Sequence, residues 1–211
     1  ISLFPEDADS VEQILRNADS ALFKAKSSGR STYAFYSQEL TSQARQRVEL
    51  VTALRQALEQ GQLRLHYQPI YDLRQGSISG FEALVRWQHP EKGLISPAVF
   101  IPIAEETGLI SAIDHWVLQQ ACHQAREWLG QGRPLGFIAV NISSRLFGNG
   151  DLDLQIATVL ASSGLAARHL ELEITESAVM QDPDGALELL QRLRALGVQL
   201  AIDDFGTGYS S

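Results

Sequence analysis

The sequence predicts an α/β fold in which a sheet of mainly parallel strands is covered by helices. Apolar runs of strand length alternate with amphipathic helical patterns from about residue 63 onward. Polar residues end three successive apolar runs, at Asn141, Glu173 and Asp203, about 30 residues apart, which is the length of one βα unit. With 45% hydrophobic and 20% charged residues among 211, the chain can bury a substantial core.

The first 60 residues are predicted to form two helices and two short strands. Helical spacing of apolar residues begins after Ser10 and ends at Gly29, with strands predicted on either side, at 1–5 and 32–36. A second helical pattern runs from 40 to 60 and predicts a connecting helix. A helix of about 20 residues spans roughly 30 Å, enough to link two domains, but its sparse apolar stripe suits packing on the next domain equally well.

The region after residue 61 opens with a hairpin and continues as alternating strands and helices. The short loop at 72–77 favours antiparallel pairing of strands at 63–71 and 78–87. Further strands are predicted at 137–142, 170–174 and 198–203, and helices at 97–106, 111–129, 152–162 and 183–196. Successive βα units close into a TIM-like (β/α) barrel, whose active site lies at the carboxyl ends of the strands.

Oxygen-bearing side chains gather at the predicted strand ends. Glu82, near the end of the second hairpin strand, joins Asn141, Glu173 and the adjacent pair Asp203 and Asp204. An ionised carboxylate at the end of a buried strand costs free energy unless it is paired or bound to a cation. Carboxylate and amide oxygens suit Mg²⁺ or Mn²⁺. The alternative is a set of unrelated acids whose side chains simply reach solvent.

Composition excludes several classes of protein. The net charge of −8 argues against a long nucleic-acid polymer as ligand, because polymer binding needs a basic footprint. No apolar run approaches the roughly 20 residues of a membrane-spanning helix, so no membrane contact is expected from this segment. With no secretory signal, a cytoplasmic location is expected. The single cysteine, Cys122, lies in a helical apolar pattern and is expected in the core.

Five short motifs occur in one order along residues 61–211. The motifs are Tyr-Gln-Pro-Ile at 67–70, Glu-Ala-Leu-Val-Arg-Trp at 82–87, Asn-Ile-Ser at 141–143, Glu-Leu-Glu-Ile-Thr-Glu-Ser at 171–177 and Asp-Asp-Phe-Gly-Thr-Gly-Tyr-Ser-Ser at 203–211. The three-letter Glu-Ala-Leu motif alone would be a weak signal. Together and in order, the motifs resemble the EAL domain family, and 61–211 resembles the N-terminal part of such a domain.

This resemblance implies a metal-dependent phosphodiesterase that hydrolyses cyclic di-GMP to linear pGpG in bacterial second-messenger signalling. It implies two divalent cations, Mg²⁺ or Mn²⁺, which bind the phosphate and activate water. The implied metal ligands are Glu82, Asn141, Glu173, Asp203 and Asp204.

The resemblance also assigns residues that border the substrate. Gln68, Arg86 and Pro97 are implied to contact cyclic di-GMP, with Arg86 on a phosphate oxygen; an ion pair with a neighbouring acid is the alternative for Arg86. Glu176 is implied to tether the loop at 205–211, which in this family couples metal occupancy to a dimer interface. A homodimer through this domain is therefore expected.

Residues 1–39 resemble the C-terminal end of a GGDEF (diguanylate cyclase) domain. The segments that carry this resemblance are Phe-Pro-Glu-Asp at 4–7, Ala-Asp-Ser-Ala-Leu-Phe-Lys-Ala-Lys at 18–26 and Gly-Arg-Ser-Thr-Tyr at 29–33. The signature of that family lies outside this sequence, so no cyclase activity is implied. The expected organisation is a GGDEF remnant at 1–39, a connecting helix at 40–60 and the EAL part at 61–211, with the question of a membrane tether upstream left open.

The EAL-like region is shorter than its family. It holds about 150 residues, against roughly 250 in a typical barrel, so the last strands and helices are expected to be missing. The family's active-site lysine, a further glutamate and a glutamine motif are also absent, which leaves the catalytic residues unassigned and predicts impaired catalysis by the 211 residues alone. The alternatives are a catalytically inactive cyclic di-GMP receptor and a module that mainly dimerises or relays a signal.

Overall fold

A computed structural model describes residues 1–27 and 31–203. The chain divides into two compact units, Ile1–Arg55 and Gln56–Ser211. The division falls near the end of the second helix of the chain.

The first unit contains helix α1 (Val11–Ser27) and most of helix α2 (Gln38–Glu59). The Ser10 hydroxyl caps α1 by accepting a hydrogen bond from the Gln13 amide at 3.2 Å. The strands predicted at 1–5 and 32–36 are wrong: these segments carry no regular strand. Two main-chain hydrogen bonds join them, from Ile1 to Ala34 and from Tyr36 to Ile1, and two bonds do not build a ladder.

The second unit is an α/β domain built on one sheet. Its strands are β1 (Leu63–Asp72), β2 (Ser77–His89), β3 (Gly93–Ile95), β4 (Phe137–Ile142), β5 (Leu170–Thr175) and β6 (Gln199–Asp203). Its helices are α3 (Pro97–Thr107), α4 (Ile110–Gly130), α5 (Ser144–Phe147), α6 (Leu152–Ser163), α7 (Glu176–Gln181) and α8 (Pro183–Ala195), with a 3₁₀ turn at Ala167–His169. The predicted helices and strands of this unit are confirmed, whereas β3, α5 and α7 were not predicted.

The sheet is mixed, with the order β1-β2-β4-β5-β6 and β3 paired on β2. The β1–β2 pair is an antiparallel hairpin, and β2, β4, β5 and β6 run parallel to one another. This arrangement confirms the α/β fold with an antiparallel first strand and is that of a partial TIM-like barrel.

Strand β5 shows how the sheet separates its two faces. Leu170, Leu172 and Ile174 are fully buried, whereas the alternate residues Glu171 and Glu173 are half-buried on the opposite face. The apolar face lies against the helices, because α4 packs on β1, β2 and β4. The polar face is therefore the one that a closed barrel would enclose.

Two glycines allow β2 and β4 to approach closely. A Cβ on Gly136 would overlap the carbonyl oxygen of Ser79, and one on Gly80 would lie 2.7 Å from the carbonyl oxygen of Phe137. Both positions are therefore restricted to glycine by space rather than by backbone torsion.

None of the helices in the described part of the chain combines the length and the hydropathy needed to cross a membrane.

Candidate metal centre

The strand register brings the predicted site residues onto the polar face of the sheet. Glu82 pairs with Ala139, Asn141 pairs with Glu173, and Thr175 pairs with Asp203. Asn141 and Glu173 are therefore direct cross-strand neighbours. Glu82 lies level with the residue two positions before Asn141, and Asp203 lies level with the residue two positions after Glu173. The site rises diagonally across the strands, and Glu82 lies inside β2 rather than near its end, since β2 continues to His89.

Glu82, Asn141 and Glu173 form a cluster on three neighbouring strands. The Asn141 amide Nδ2 donates to Glu82 Oε1 at 2.7 Å, across 59 residues of sequence. Glu173 lies close enough to Glu82 for the two carboxyl groups to interact, and this interaction contributes to the raised pKa of Glu173. Three oxygen-bearing side chains from three different strands thus converge at one point.

The pKa of Glu173 is raised from its ordinary value near 4.5 to about 7. Burial is the largest cause, and the negative charges of Glu82, Asp203 and Glu171 add to it. A carboxyl group that neighbouring negative charges make harder to ionise favours a proton or a metal cation beside it. The donor set therefore fits a divalent cation that prefers oxygen ligands.

Of the two remaining predicted metal ligands, Asp203 and Asp204, the structure describes only Asp203. Asp203 ends β6 and is exposed. Asp204 and the loop at 205–211 lie outside the described residues. Among the residues at 1–27 and 31–203, no group of three or more His, Cys, Asp or Glu side chains is arranged to hold a metal by itself. The described cluster is completed by the Asn141 amide instead.

The predicted substrate-binding residues lie on either side of the cluster. Arg86 and Pro97 line a cavity of about 300 Å³ that also reaches Asn141, and Pro97 is the first residue of α3. The Arg86 guanidinium donates to its neighbouring carbonyl, Val85 O, at 2.8 Å. Gln68 pairs with Glu82 across the hairpin and is exposed on the same face.

Glu176 occupies the first position of α7, directly after β5. It is 8% exposed, which is unusual for a glutamate, and Thr175 caps the same helix by accepting from the Ala178 amide at 3.4 Å. The loop that Glu176 was expected to tether lies outside the described residues, so this role stays a prediction.

Two acidic residues near the cluster were not predicted as part of it. Glu171 lies two residues below Glu173 on the polar face, and burial raises its pKa. Asp114 lies on α4, is 6% exposed and lines the same cavity as Arg86. Its signal in the sequence is a single carboxyl group within the apolar stripe of α4.

A partial (β/α) barrel with an acidic cluster on the strands that would line its interior defines the class of protein. The residues at 51–211 match the family model described as "EAL domain". The chain therefore belongs to the EAL domain family.

The relatives include two proteins of Pseudomonas aeruginosa that are named for cyclic di-GMP turnover. The bifunctional diguanylate cyclase/cyclic di-GMP phosphodiesterase MucR is 46% identical over all 211 residues, which cover 31% of its length. The cyclic di-GMP phosphodiesterase NbdA is also 46% identical over 211 residues, which cover 27% of its length. The chain thus spans about a third or less of these relatives.

The fold matches a solved structure described as the PaMucR phosphodiesterase in complex with c-di-GMP. The TM-score is 0.74 at 50% sequence identity, and the match covers 77% of this chain and 66% of that one. The chain is accordingly homologous to cyclic di-GMP phosphodiesterases, in sequence and in fold.

Proposed function

We propose that this chain is the metal-binding part of a phosphodiesterase that hydrolyses cyclic di-GMP to linear pGpG. The observation that carries the proposal is the convergence of Glu82, Asn141 and Glu173, with Asn141 donating to Glu82 at 2.7 Å. The two homologues named as cyclic di-GMP phosphodiesterases, MucR and NbdA, support the choice of substrate.

Two divalent cations, Mg²⁺ or Mn²⁺, would be held by Glu82, Asn141, Glu173, Asp203 and Asp204. When bound, they would polarise the scissile phosphate and lower the pKa of water. The negative charges of Glu82, Asp203 and Glu171 around Glu173 mark the position where a cation would be stabilised. Hydrolysis adds one water across one P–O bond, so the ring opens to give a 5′-phosphate and a free 3′-hydroxyl.

The substrate would lie over the cavity between β2 and α3. Arg86 would neutralise a phosphate oxygen, and Pro97 with the apolar wall at Ile101 would contact a base. Gln68 would border the nucleotide from the other side of Glu82. Within the described part of the chain, the Arg86 guanidinium donates to a carbonyl and not to a carboxylate, which keeps its charge available for a phosphate.

We propose that the chain consists of three segments. Residues 1–39 would be the end of a GGDEF domain, 40–60 a connecting helix, and 61–211 the first part of the EAL domain. MucR, whose name includes a diguanylate cyclase activity, aligns with the whole chain and not only with its EAL part. We further propose a cytoplasmic location and a homodimer formed through the EAL domain.

The test is hydrolysis of cyclic di-GMP by the full-length protein, with Mg²⁺ or Mn²⁺, beside its Glu82→Gln variant. Product analysis should show linear pGpG from the unsubstituted protein and a loss of at least about 100-fold in the variant, the upper range for disturbed metal sites. Glu91→Gln is the matched control, because Glu91 is an exposed glutamate in the turn after β2. Binding of cyclic di-GMP without turnover would instead identify an inactive receptor.

A further inference from the structure

Asp114 is a carboxyl group within an apolar helix face. The buried residues of α4 include Ile110, Ile113, Val117 and Leu118, and Asp114 lies among them at a position where helical spacing favours an apolar side chain. It is only 6% exposed. Burial raises its pKa to about 6, although hydrogen bonding to Ser143 opposes this shift. A helix gains no stability from such a residue unless a partner compensates for the burial.

Its partner is the turn that follows the metal-site strand. The Ser143 hydroxyl donates to Asp114 Oδ2 at 2.5 Å and accepts from the Leu146 amide at 3.2 Å. Ser143 is the N-cap of α5 and lies two residues after Asn141, directly beyond the end of β4. The carboxyl group therefore fixes the rotamer of the residue at which β4 turns into α5.

A second contact anchors the same turn from the other side. The Arg145 guanidinium donates to the carbonyl of Glu105 at 3.2 Å, in the last turn of α3. Leu146 and Phe147 are buried beneath it, so α5 is packed although it is only four residues long. Of these two anchors, Asp114 acts closer to Asn141, since Ser143 is the first residue after β4.

We propose that Asp114 is a positioning residue, which holds Ser143 and thereby fixes the direction of the Asn141 amide toward the metal site. The inference rests on the proposed function, because it assigns Asn141 as a metal ligand. Residues that hydrogen-bond to metal ligands and orient them commonly lower metal affinity by about 10–100-fold when they are removed. Asp114 would act in this way without touching metal or substrate.

If Asp114 had only a structural role, Asp114→Leu would leave the affinity for Mn²⁺ unchanged. Leucine suits the apolar stripe of α4 and removes a carboxyl group whose burial is costly, but it leaves the Ser143 hydroxyl without its acceptor. Because these two effects on stability oppose each other, Asp114→Leu should change the thermal midpoint little. Asp114→Asn keeps an acceptor oxygen in the same place and is the conservative rescue.

The experiment titrates the metal-free, full-length protein with Mn²⁺ alone by calorimetry. Metal that still binds in the Glu82→Gln variant is subtracted as metal held elsewhere. We expect Asp114→Leu to weaken Mn²⁺ binding about 10-fold or more and Asp114→Asn to stay within about threefold of the unsubstituted protein. Val159→Ala, a buried truncation on α6, is the control for general loosening of the core.

Hydrogen exchange and a double variant test the route through Ser143. Asp114→Leu should speed amide exchange in residues 141–147, and it should add no further loss of Mn²⁺ affinity to Ser143→Ala. Unchanged exchange at 141–147, or Mn²⁺ affinity equal to that of the unsubstituted protein, would overturn the inference. A failure of the unsubstituted protein to bind Mn²⁺ would instead overturn the proposed function, and the inference with it.

Discussion

Among the single residues of the site, Glu173 has the most strongly raised pKa. Its pKa of about 7 comes first from burial and then from the acids around it. Because the shift is upward, the folded, metal-free protein binds this proton more tightly than the unfolded chain does. The resulting stabilisation is complete below about pH 4.5 and is lost as the pH rises through about 7.

The first prediction concerns Glu173→Gln, which replaces the protonated carboxyl by a neutral isostere. In EDTA, the variant should match the unsubstituted protein in thermal midpoint at pH 5 and exceed it at pH 8, where Glu173 is ionised without a cation. The measurement is thermal unfolding at both pH values. Glu188→Gln, at an exposed site on α8, should leave the pH dependence unchanged. An equal offset of the Glu173 variant at both pH values would contradict the assigned cause.

The composition of the site was predictable at this scale, but its contacts were not. Strand ends with Asn141, Glu173 and Asp203 could be predicted from spacing, because one βα unit has a nearly constant length. The bond from Asn141 to Glu82 depends on a register between strands 59 residues apart in sequence, which no local pattern encodes. The buried position of Asp114 depends likewise on which turn α4 packs against.

At the scale of helices and strands, prediction and structure agree best for long elements, in which the apolar spacing repeats several times. The 21-residue helix α4 and the hairpin of β1 and β2 follow from apolar spacing alone. Shorter elements escape this signal: β3 has three residues and α5 has four. The predicted strands at 1–5 and 32–36 failed for a related reason, since β-branched and aromatic composition indicates a strand only where a neighbouring strand completes the ladder.

The second prediction tests the close approach of β2 and β4. Gly136→Ala should destabilise the protein by about 2 kcal/mol, because the added Cβ overlaps the Ser79 carbonyl oxygen, which belongs to the main chain and cannot rotate away. The measurement is the free energy of unfolding in denaturant.

Gly130→Ala is the matched control for this substitution. Gly130 ends α4, and apart from its chain neighbours and the backbone of its own helix no described atom lies within 4 Å of the place that an added methyl group would take. Alanine there should therefore stabilise the protein by roughly 0.5 kcal/mol through the unfolded chain. These two glycines, at opposite ends of one short loop, should thus respond with opposite signs. An unchanged free energy of unfolding in Gly136→Ala would contradict the assigned close approach, because it would show that β2 and β4 can move apart at no cost in stability.

At the scale of the whole molecule, the partial barrel explains why one face of its sheet is so polar. β1 and β6 are the end strands of the described sheet order, and the acids of β2, β5 and β6 lie on its polar face. The barrel class could be predicted because strands and helices alternate. The diagonal rise of the site could not, since it comes from the stagger between strands as the sheet begins to curve.

The most direct test of the proposed metal centre is the position of bound metal. Crystals of the full-length protein soaked in Mn²⁺ should show anomalous scattering peaks within about 2.5 Å of oxygen atoms of Glu82, Asn141 and Glu173, and these peaks should vanish in Glu82→Gln. Manganese bound only at other residues, or peaks that survive this substitution unchanged, would contradict the assignment of the cluster as a metal centre.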